Sequence, residues 1–561
     1  MTDSPLLAAN DTILWLKVIL SAATLILLYF RYRKGKTSEA SSKTYSFTTR
    51  ALIVLAVVFS FAVFHNLGTF RGGTFVHVAD MFHYYLGTKY FNEVGYSDLY
   101  NAVIVADTEQ GNQLARLPFY TDLRTYQNTQ RANALADASR IRHLFSDERW
   151  SAFKDDVAFF KTATGMPRSP GLMFLLMDHG YNGSPVSTLI LGTLANIVPV
   201  TQLHLLAFLD VFLMLTMSGL VFRTFGFEMG ALFSVYFCVN VLNPYDFISG
   251  CFLRYDWLFY IVVAVCLLER GRYASSAFFL ALSAMIRIFP VVLFYGMAVI
   301  IFKNVKATRA VDKKHVRFIL AAGVTGVALF LLPAVSLGSV LQPWKDFSEK
   351  IAFHDRGVYV NHLGLRGIAL FEPSHLSLER FVEAYKSTLT NDIVRHWQDV
   401  KEVEFQQKRP AIMFASLLVL SCLTAIIWKR SSETESVLWP LVLVYAVSYP
   451  AHYYYAFLCL FILLFFRRPS SLTALVPLGL LLAINIATLV TDYFRASPIV
   501  FYSSVNIYLF IGLSLIVGFE LYANVLGKGA LETAAGLDPP HAPRPDSKRH
   551  QRQRPSRRRG K

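Results

Sequence analysis

Long apolar runs recur along this chain and constrain its fold more than any other feature of the sequence. They are about 14–22 residues long, close to the length of a helix that spans the ~30 Å hydrocarbon layer of a bilayer. The mean hydropathy is positive, at +0.41, and only 16% of the 561 residues are charged. A transmembrane β-barrel would instead alternate apolar and polar residues over short strands. The sequence therefore predicts an all-α polytopic membrane protein and disfavours a soluble globular one.

Clusters of Lys and Arg beside the apolar runs predict which helix ends face the cytoplasm. The first run, residues 13–31, is followed by the basic stretch RYRKGK, whereas a secretory signal peptide carries its positive charge before the apolar core. We therefore expect a retained helix. Similar basic clusters occur at 269–273, 302–317, 428–430 and 466–471. Placing all of them inside predicts about 13 crossings and a cytoplasmic C-terminus.

This topology divides the chain into five regions. A Ser cap followed by acidic residues predicts a helix over 146–161, so we expect the first outer loop to form a helical domain. Residues 186–199 are apolar but fit poorly as a crossing, and we place them at the outer interface. The predicted regions are an N-terminal helix with a basic loop (1–49), a membrane module (50–340) including the outer loop 66–200, a second outer loop (341–410), C-terminal helices (411–526) and a tail (527–561).

The tail is basic and rich in Pro. From Lys528 to Lys561 there are ten Lys or Arg residues against three Asp or Glu, a net charge of +7. Such a composition predicts disorder. The tail either contacts anionic lipid headgroups or RNA, or is a solvated segment that only fixes topology.

Two apolar segments carry basic clusters on both sides. Because both ends of each segment are then cytoplasmic, each segment must cross the membrane twice. In the first, 274–304, Arg287 and Pro290 interrupt the apolar run, which predicts two short helices that meet at Arg-Ile-Phe-Pro. In the second, 437–466, we expect a turn at Tyr-Pro-Ala-His-Tyr-Tyr. A charge at membrane depth needs a cavity lined by protein or water.

The stretch HVADMFHYY places an acid between two histidines just beyond a helix end. His77, Asp80 and His83 are three residues apart, so on a helix they would share a face. They could bind a divalent metal, or Asp80 could act as a general base toward a sugar hydroxyl. An interfacial helix with ordinary hydrogen bonds is the alternative.

Two arginines on the same predicted outer side suit a phosphate or diphosphate. Arg254 and Asp256 sit at the mouth of a helix, and Arg287 lies at the break described above. A guanidinium pairs with two phosphate oxygens at once. The alternatives are an ion pair between Arg254 and Asp256, and an ion pair from Arg287 to Asp256 or Asp80.

Further polar groups come from distant parts of the chain and share this predicted face. The second outer loop could cover an acceptor, or it could simply be solvated. His452 and the tyrosines after it could line a sugar site, or belong to the aromatic belt of a membrane interface. The remaining substrate-binding candidates are His83, Tyr84, His354, Arg356, His362, His452 and Tyr453.

Several of these segments resemble the polyprenyl-phosphate-dependent glycosyltransferases of the GT-C superfamily, in particular glycosyltransferase family 87 and the GPI-mannosyltransferase type. The resemblance rests on the acid after the first outer helix exit, on GYSDLYNA and MPRSPGLMFLL, and on the middle helices around FLRYDWLFY and AMIRIFP. It covers about residues 50–310 and implies a GT-C-like bundle. Asp80 takes the position of the catalytic or metal-facing acid, and Arg287 that of the basic residue near the lipid phosphate. The chain lacks an adjacent acidic pair at Asp80.

The resemblance implies a membrane glycosyltransferase that uses a polyprenyl-phosphate sugar and a glycan, lipid or protein acceptor on the outer face. Asp80 would activate the acceptor hydroxyl, and Arg254 and Arg287 would hold the phosphate. A lipid or polysaccharide transporter is the alternative. We expect membrane lipids but no nucleic acid as partners, and no certain cofactor beyond a possible divalent metal. We expect a cell-envelope location, in a bacterial inner membrane rather than the endoplasmic reticulum.

Overall fold

The computed structural model describes residues 5–37, 47–71, 73–166, 168, 170–386, 392–430, 432–467, 471–494 and 496–523. The described chain is nearly all-α, as the sequence predicts. Seven of its helices are long and apolar enough to cross a membrane, and five further apolar helices are 10–17 residues long. The protein is therefore a multi-pass membrane protein, while the number of about 13 crossings stays a prediction. The predicted tail lies outside the described residues.

The helices before and within the first long loop are mostly short. A hairpin of two antiparallel strands, β1 (Phe119–Thr121) and β2 (Asn128–Gln130), is the one sheet in the described part of the chain. The helices are α1 Pro5–Thr37, α2 Phe47–Phe64, α3 Val78–Met81, α4 Gly87–Lys89, α5 Phe91–Val94, α6 Leu99–Glu109, α7 Arg131–Ala136, α8 Ala138–His143, α9 Asp147–Ala163, α10 Gly171–Leu175 and α11 Pro185–Ile197.

The rest of the chain contains most of the long apolar helices. Short 3₁₀ turns join several of them, including Phe289–Val292 and His452–Cys459. The helices are α12 Leu203–Phe225, α13 Phe227–Val239, α14 Tyr245–Ile248, α15 Asp256–Glu269, α16 Tyr273–Ile286, α17 Leu293–Thr308, α18 Lys313–Leu331, α19 Ala334–Leu337, α20 Leu341–Arg356, α21 Leu365–Ala369, α22 Leu378–Tyr385, α23 Ile393–Lys429, α24 Glu433–Leu438, α25 Leu441–Val447, α26 Leu460–Phe465, α27 Leu472–Tyr493 and α28 Pro498–Leu521.

Both predicted helix breaks are confirmed. α16 ends at Ile286, Arg287 is extended with φ −132° and ψ 131°, and the chain turns through Phe289–Val292 into α17. The second break follows α25, where the chain leaves the helix before His452 and re-enters it as a 3₁₀ turn. Because Pro290 cannot donate a backbone hydrogen bond, the first break is local in origin.

The first long loop, residues 66–200, forms a helical unit with its own apolar core, as predicted. Phe82, Tyr90, Phe153 and Phe160 are fully buried in that core. The predicted helix over 146–161 is confirmed as α9, and the Ser146 hydroxyl accepts a hydrogen bond from the Arg149 backbone N–H. This is the N-cap contact that the sequence pattern indicates.

One boundary differs from the sequence prediction. The apolar segment predicted over 411–428 is part of α23, which begins at Ile393 and runs 37 residues through Pro410. At 1.5 Å per residue such a helix extends beyond the ~30 Å hydrocarbon layer. The segment predicted over 186–199 forms α11, which packs against α4 and α16.

Gly296 allows α17 to pack directly on α24. A Cβ at this position would overlap the backbone oxygen of Ser436, whereas a Cβ at Gly323 on α18 has no atom within 4 Å. We expect Gly296→Ala to destabilise the protein by about 1–3 kcal/mol, because a backbone must move to accommodate it. Gly323→Ala is the matched control and should unfold at the wild-type temperature or slightly above it. Equal melting temperatures for the two variants in detergent would contradict this packing.

Candidate functional site

The stretch HVADMFHYY folds as one turn of α-helix, α3, followed by a π-turn over Phe82–Leu86. Asp80 lies in the α-turn, and 4% of its side chain is exposed. Its carboxylate forms an ion pair with Arg254, whose Nε lies 2.7 Å from Oδ1. The other oxygen, Oδ2, accepts a hydrogen bond of 2.9 Å from the backbone N–H of Phe252. Both carboxylate oxygens are therefore occupied by the segment before α15.

Arg254 is fixed from several directions. Its guanidinium carbon lies 3.7 Å from the centre of the Tyr84 ring, a cation–π contact. Its backbone N–H donates to Oδ2 of Asp210 at 3.0 Å, and the next residue, Tyr255, donates to Oδ1 at 3.1 Å. Asp210 belongs to the membrane-spanning helix α12, so this buried acid ties the Arg254 loop to the helix bundle.

Arg287 is a buried arginine without a carboxylate partner. Its residue exposure is 8%, and among the described residues its guanidinium has neither a hydrogen-bond partner nor a carboxylate within 4.0 Å. Its guanidinium carbon lies 5.9 Å from the centre of the Tyr454 ring. The predicted alternative, an ion pair from Arg287 to Asp80 or Asp256, is therefore not found. A buried guanidinium without an anionic partner destabilises the folded protein unless a bound ligand supplies the negative charge.

Arg254 and Arg287 line one cavity. Its volume is about 250 Å³, measured with its opening, and Tyr453, Tyr454 and Trp257 form further parts of its wall. We call it the arginine cavity. It brings two guanidinium groups and two phenol rings together from three distant parts of the chain.

The charge of Arg254 makes Asp80 a weak base in this arrangement. Burial of the carboxyl group opposes its ionisation, but Arg254, His77 and the Phe252 N–H together lower its pKa below the usual value. Burial and the neighbouring Arg71 lower the pKa of His77 to about 4. His77 Nδ1 accepts a hydrogen bond of 3.3 Å from the backbone N–H of Asp80, so it caps the turn.

His83 contacts a different set of residues from Asp80. Its Nδ1 lies 3.3 Å from the Tyr100 hydroxyl, and its Nε2 lies 3.4 Å from a carboxylate oxygen of Asp178. The spacing of His77, Asp80 and His83 predicts a shared helix face, but the helix changes to a π-turn at Phe82 and the three side chains have no common hydrogen-bond or ion-pair partner in the described part of the chain. Within the described ranges no group of three His, Cys, Asp or Glu side chains is placed to hold a metal ion.

His83 instead joins a cluster of histidines that connects the two long loops. Asp178 contacts His83 on one side and His179 on the other, each at 3.4 Å. The His179 ring lies 5.8 Å from that of His354, which stacks on Tyr359 at 4.9 Å. The ring of His362 follows, 5.6 Å from His354. The predicted candidates His83, His354 and His362 thus lie along one line of contacts.

His354 makes this contact between the loops sensitive to acid. Burial, and then the positive charges of His179 and Lys350, lower its pKa from 6.5 to about 4, with Asp178 acting in the opposite direction. Between these pH values the unfolded chain binds a proton that the folded chain does not, so stability is lost as the pH falls from about 6.5 to 4.

His354→Phe keeps an aromatic ring on Tyr359 and cannot titrate. We expect its melting temperature to fall less than that of the wild type between pH 7 and pH 4.5, while the exposed control His143→Phe behaves as wild type. Equal falls in all three proteins would contradict this role of His354.

The other predicted site residues lie in different surroundings. Tyr453 lines the arginine cavity, but His452 packs its ring 4.7 Å from Phe247 and 4.8 Å from Tyr502 and is not part of the cavity wall. Asp256 begins α15 and accepts a hydrogen bond of 2.7 Å from the Trp257 N–H, so the alternative ion pair with Arg254 is not found among the described residues. Arg356 is exposed at the end of α20.

Sequence reasoning missed two residues that contribute to this site. Asp210 stands alone in the apolar run LLAFLDVFLM, and an acid at membrane depth is by itself a signal of function or of a specific partner. Asp178 carried no local signal, because only the fold brings it between His83 and His179.

No family model, no curated protein and no solved structure matches this chain. The fold and the site define it as a nearly all-α, multi-pass membrane protein with a buried arginine cavity.

Proposed function

We propose that the protein is a GT-C-like membrane glycosyltransferase that takes its sugar from a polyprenyl-phosphate donor and works on the outer face of the membrane. The observation that carries the proposal is the arginine cavity, in which Arg287 has no hydrogen-bond or carboxylate partner among the described residues and Arg254 lies on the same wall. A phosphate monoanion or dianion would supply the missing partner, since guanidinium groups pair with phosphate oxygens through parallel hydrogen bonds.

The leaving group of such a reaction needs positive charge. The acceptor hydroxyl attacks the anomeric carbon of the sugar, the bond from that carbon to the phosphate oxygen breaks, and polyprenyl phosphate departs as an anion. Arg254 and Arg287 stabilise the charge that develops on this phosphate in a site with little water. The rings of Tyr453 and Tyr454 offer faces on which a sugar can stack beside it.

Asp80 takes the proton of the acceptor hydroxyl. In the structure it is paired with Arg254, which lowers its pKa and its basicity. A donor phosphate that binds Arg254 shares this guanidinium with Asp80, so the carboxylate becomes a stronger base when the donor is present. The donor therefore binds first, and Asp80 becomes basic enough to take the acceptor proton only when the donor phosphate is in place.

The proposal is tested with the full-length protein in proteoliposomes. The donors are polyprenyl-phosphate hexoses and pentoses labelled in the sugar, native membranes supply the acceptor, and release of polyprenyl phosphate is measured together with transfer of label. We expect the wild type to consume at least one donor, and Arg287→Met to reduce the rate by about 10²–10³-fold. The exposed Arg270 provides a matched control, Arg270→Met, which should behave as wild type.

Two results would overturn the proposal. One is that the wild type consumes no donor of the panel, and the other is that Arg287→Met is as active as Arg270→Met. Movement of intact sugar lipid across the bilayer without cleavage would assign the protein to the alternative class, a lipid transporter.

A further inference from the structure

A second cavity lies between the second long loop and the ends of α25 and α28. Counted with the open space at its mouth, its volume is about 410 Å³. Its wall includes the rings of Tyr359, Trp397, Tyr449 and Tyr502. We call it the aromatic cavity. It shares no lining residue with the arginine cavity.

Hydrogen bonds hold two of these rings in fixed orientations. The Trp397 indole N–H donates to Nε2 of His375 at 3.1 Å, and the Tyr449 hydroxyl donates to the backbone oxygen of Tyr359 at 3.2 Å. The indole N–H and the phenol hydroxyl of these two rings thus already have hydrogen-bond partners within the protein. Because the rings are held in place before a ligand binds, stacking an apolar ligand face on them costs little side-chain conformational entropy.

Three polar atoms of the same wall lack a hydrogen-bond partner in the part of the chain that the structure describes. They are the hydroxyl of Tyr502, the hydroxyl of Ser503 and Nε2 of His362; the other ring nitrogen of His362 lies 2.7 Å from the Tyr449 backbone oxygen. An acyl chain would offer none of the three a hydrogen-bond partner, whereas a ligand with hydroxyl groups could pair with each of them. The expected ligand therefore carries hydroxyl groups.

Among the described residues, no Asp, Glu, Lys or Arg side chain lines the aromatic cavity. Burial, followed by the nearby charge of Lys401, lowers the pKa of His375 to about 4, so this histidine is neutral at pH 7. An anionic ligand would find no cation here, in contrast to the arginine cavity. Fixed aromatic faces, free hydroxyl groups and the absence of charge together suit a neutral pyranose ring, which has one apolar face and a rim of hydroxyls.

We propose that the aromatic cavity binds a neutral pyranose ring. It is joined to the line of histidines described above, because His362 forms part of its wall and lies 5.6 Å from His354. The ring is a unit of the acceptor glycan, and this assignment to the acceptor rests on the proposed function. The binding of a pyranose is argued from the cavity wall alone and does not depend on the proposed function.

The test uses the full-length protein in nanodiscs and saturation-transfer NMR. The probes are methyl pyranosides of glucose, galactose and mannose in both anomeric forms, with the open-chain polyol sorbitol as the negative control. We expect saturation transfer to the ring protons of at least one pyranoside and none to sorbitol. Tyr502→Phe and Ser503→Ala each remove only a hydroxyl group, and each should weaken binding by about 2–12-fold, the effect of one hydrogen bond.

The matched control is Ser504→Ala, which removes the neighbouring hydroxyl of α28 that does not line the cavity. It should bind as the wild type does, and so should Arg287→Met, because Arg287 belongs to the other cavity. The proposal is overturned if no pyranoside binds, or if Tyr502→Phe and Ser503→Ala bind as Ser504→Ala does. Displacement of the pyranoside by 1-octanol, with saturation of the alkyl protons, would assign the cavity to an acyl chain instead. Pyranoside binding by a protein that consumes no polyprenyl-phosphate sugar would uphold this site and refute the proposed function.

Discussion

Arg287→Met is expected to raise the thermal stability of the protein. A buried guanidinium without a carboxylate or a hydrogen-bond acceptor loses its hydration and gains little in return. Methionine fills a similar volume and carries no charge, and replacing buried charged groups with apolar residues is often stabilising by about 1–4 kcal/mol. We expect a gain of about 1 kcal/mol or more, measured as a rise in melting temperature in detergent without added ligand.

The same substitution should reduce the rate of sugar transfer by about 10²–10³-fold, so stability and activity are expected to change in opposite directions. A residue that lowers stability and is needed for activity has been retained for its function. Arg287→Lys keeps the charge but not the planar fork, so we expect a stability close to wild type and a reduced activity. A fall in melting temperature for Arg287→Met, similar to that of a truncated core residue, would show that Arg287 is a structural group.

Asp80→Asn is expected to destabilise the protein by about 3–5 kcal/mol. It removes the negative partner of Arg254 and leaves a buried positive charge uncompensated. Loss of transfer in this variant alone would therefore not distinguish a base from a structural partner.

The double variant Asp80→Asn with Arg254→Met separates the two roles. Removing both charges should recover most of the lost stability, because no unpaired charge remains, while transfer should stay absent. Asp147→Asn, at a side chain that is 95% exposed and also paired with an arginine, is the control and should change stability by less than about 1 kcal/mol. A melting temperature of Asp80→Asn equal to that of the wild type would contradict the importance of the buried pair.

Features with a local cause could be predicted from the sequence. The apolar runs, the break at Arg287 and Pro290, and the Ser146 cap of α9 each depend on neighbouring residues, and the structure confirms them. The pairing of Asp80 with Arg254 joins residues 174 positions apart. Charge topology placed both on one face of the membrane but could not show that they form an ion pair.

Other parts of the site depend on packing that no local pattern encodes. The spacing of Asp80 and His83 predicts a shared helix face, but Asp80 pairs with Arg254 while His83 contacts Tyr100 and Asp178. Asp210 had a readable signal, the single acid in an apolar helix, and its partners are the backbone N–H groups of a distant loop. The aromatic cavity combines α28 with the second long loop, so neither segment alone indicates it.

The proposed function requires that the arginine cavity hold the phosphate of a polyprenyl lipid. This is measured as the affinity of the protein in nanodiscs for polyprenyl phosphate, compared with the same lipid as the free alcohol, for the wild type and for Arg287→Met. We expect the wild type to bind the phosphate at least about tenfold more tightly than the alcohol, and Arg287→Met to lose this preference. Equal affinities of the wild type for phosphate and alcohol, or an unchanged preference in Arg287→Met, would contradict it.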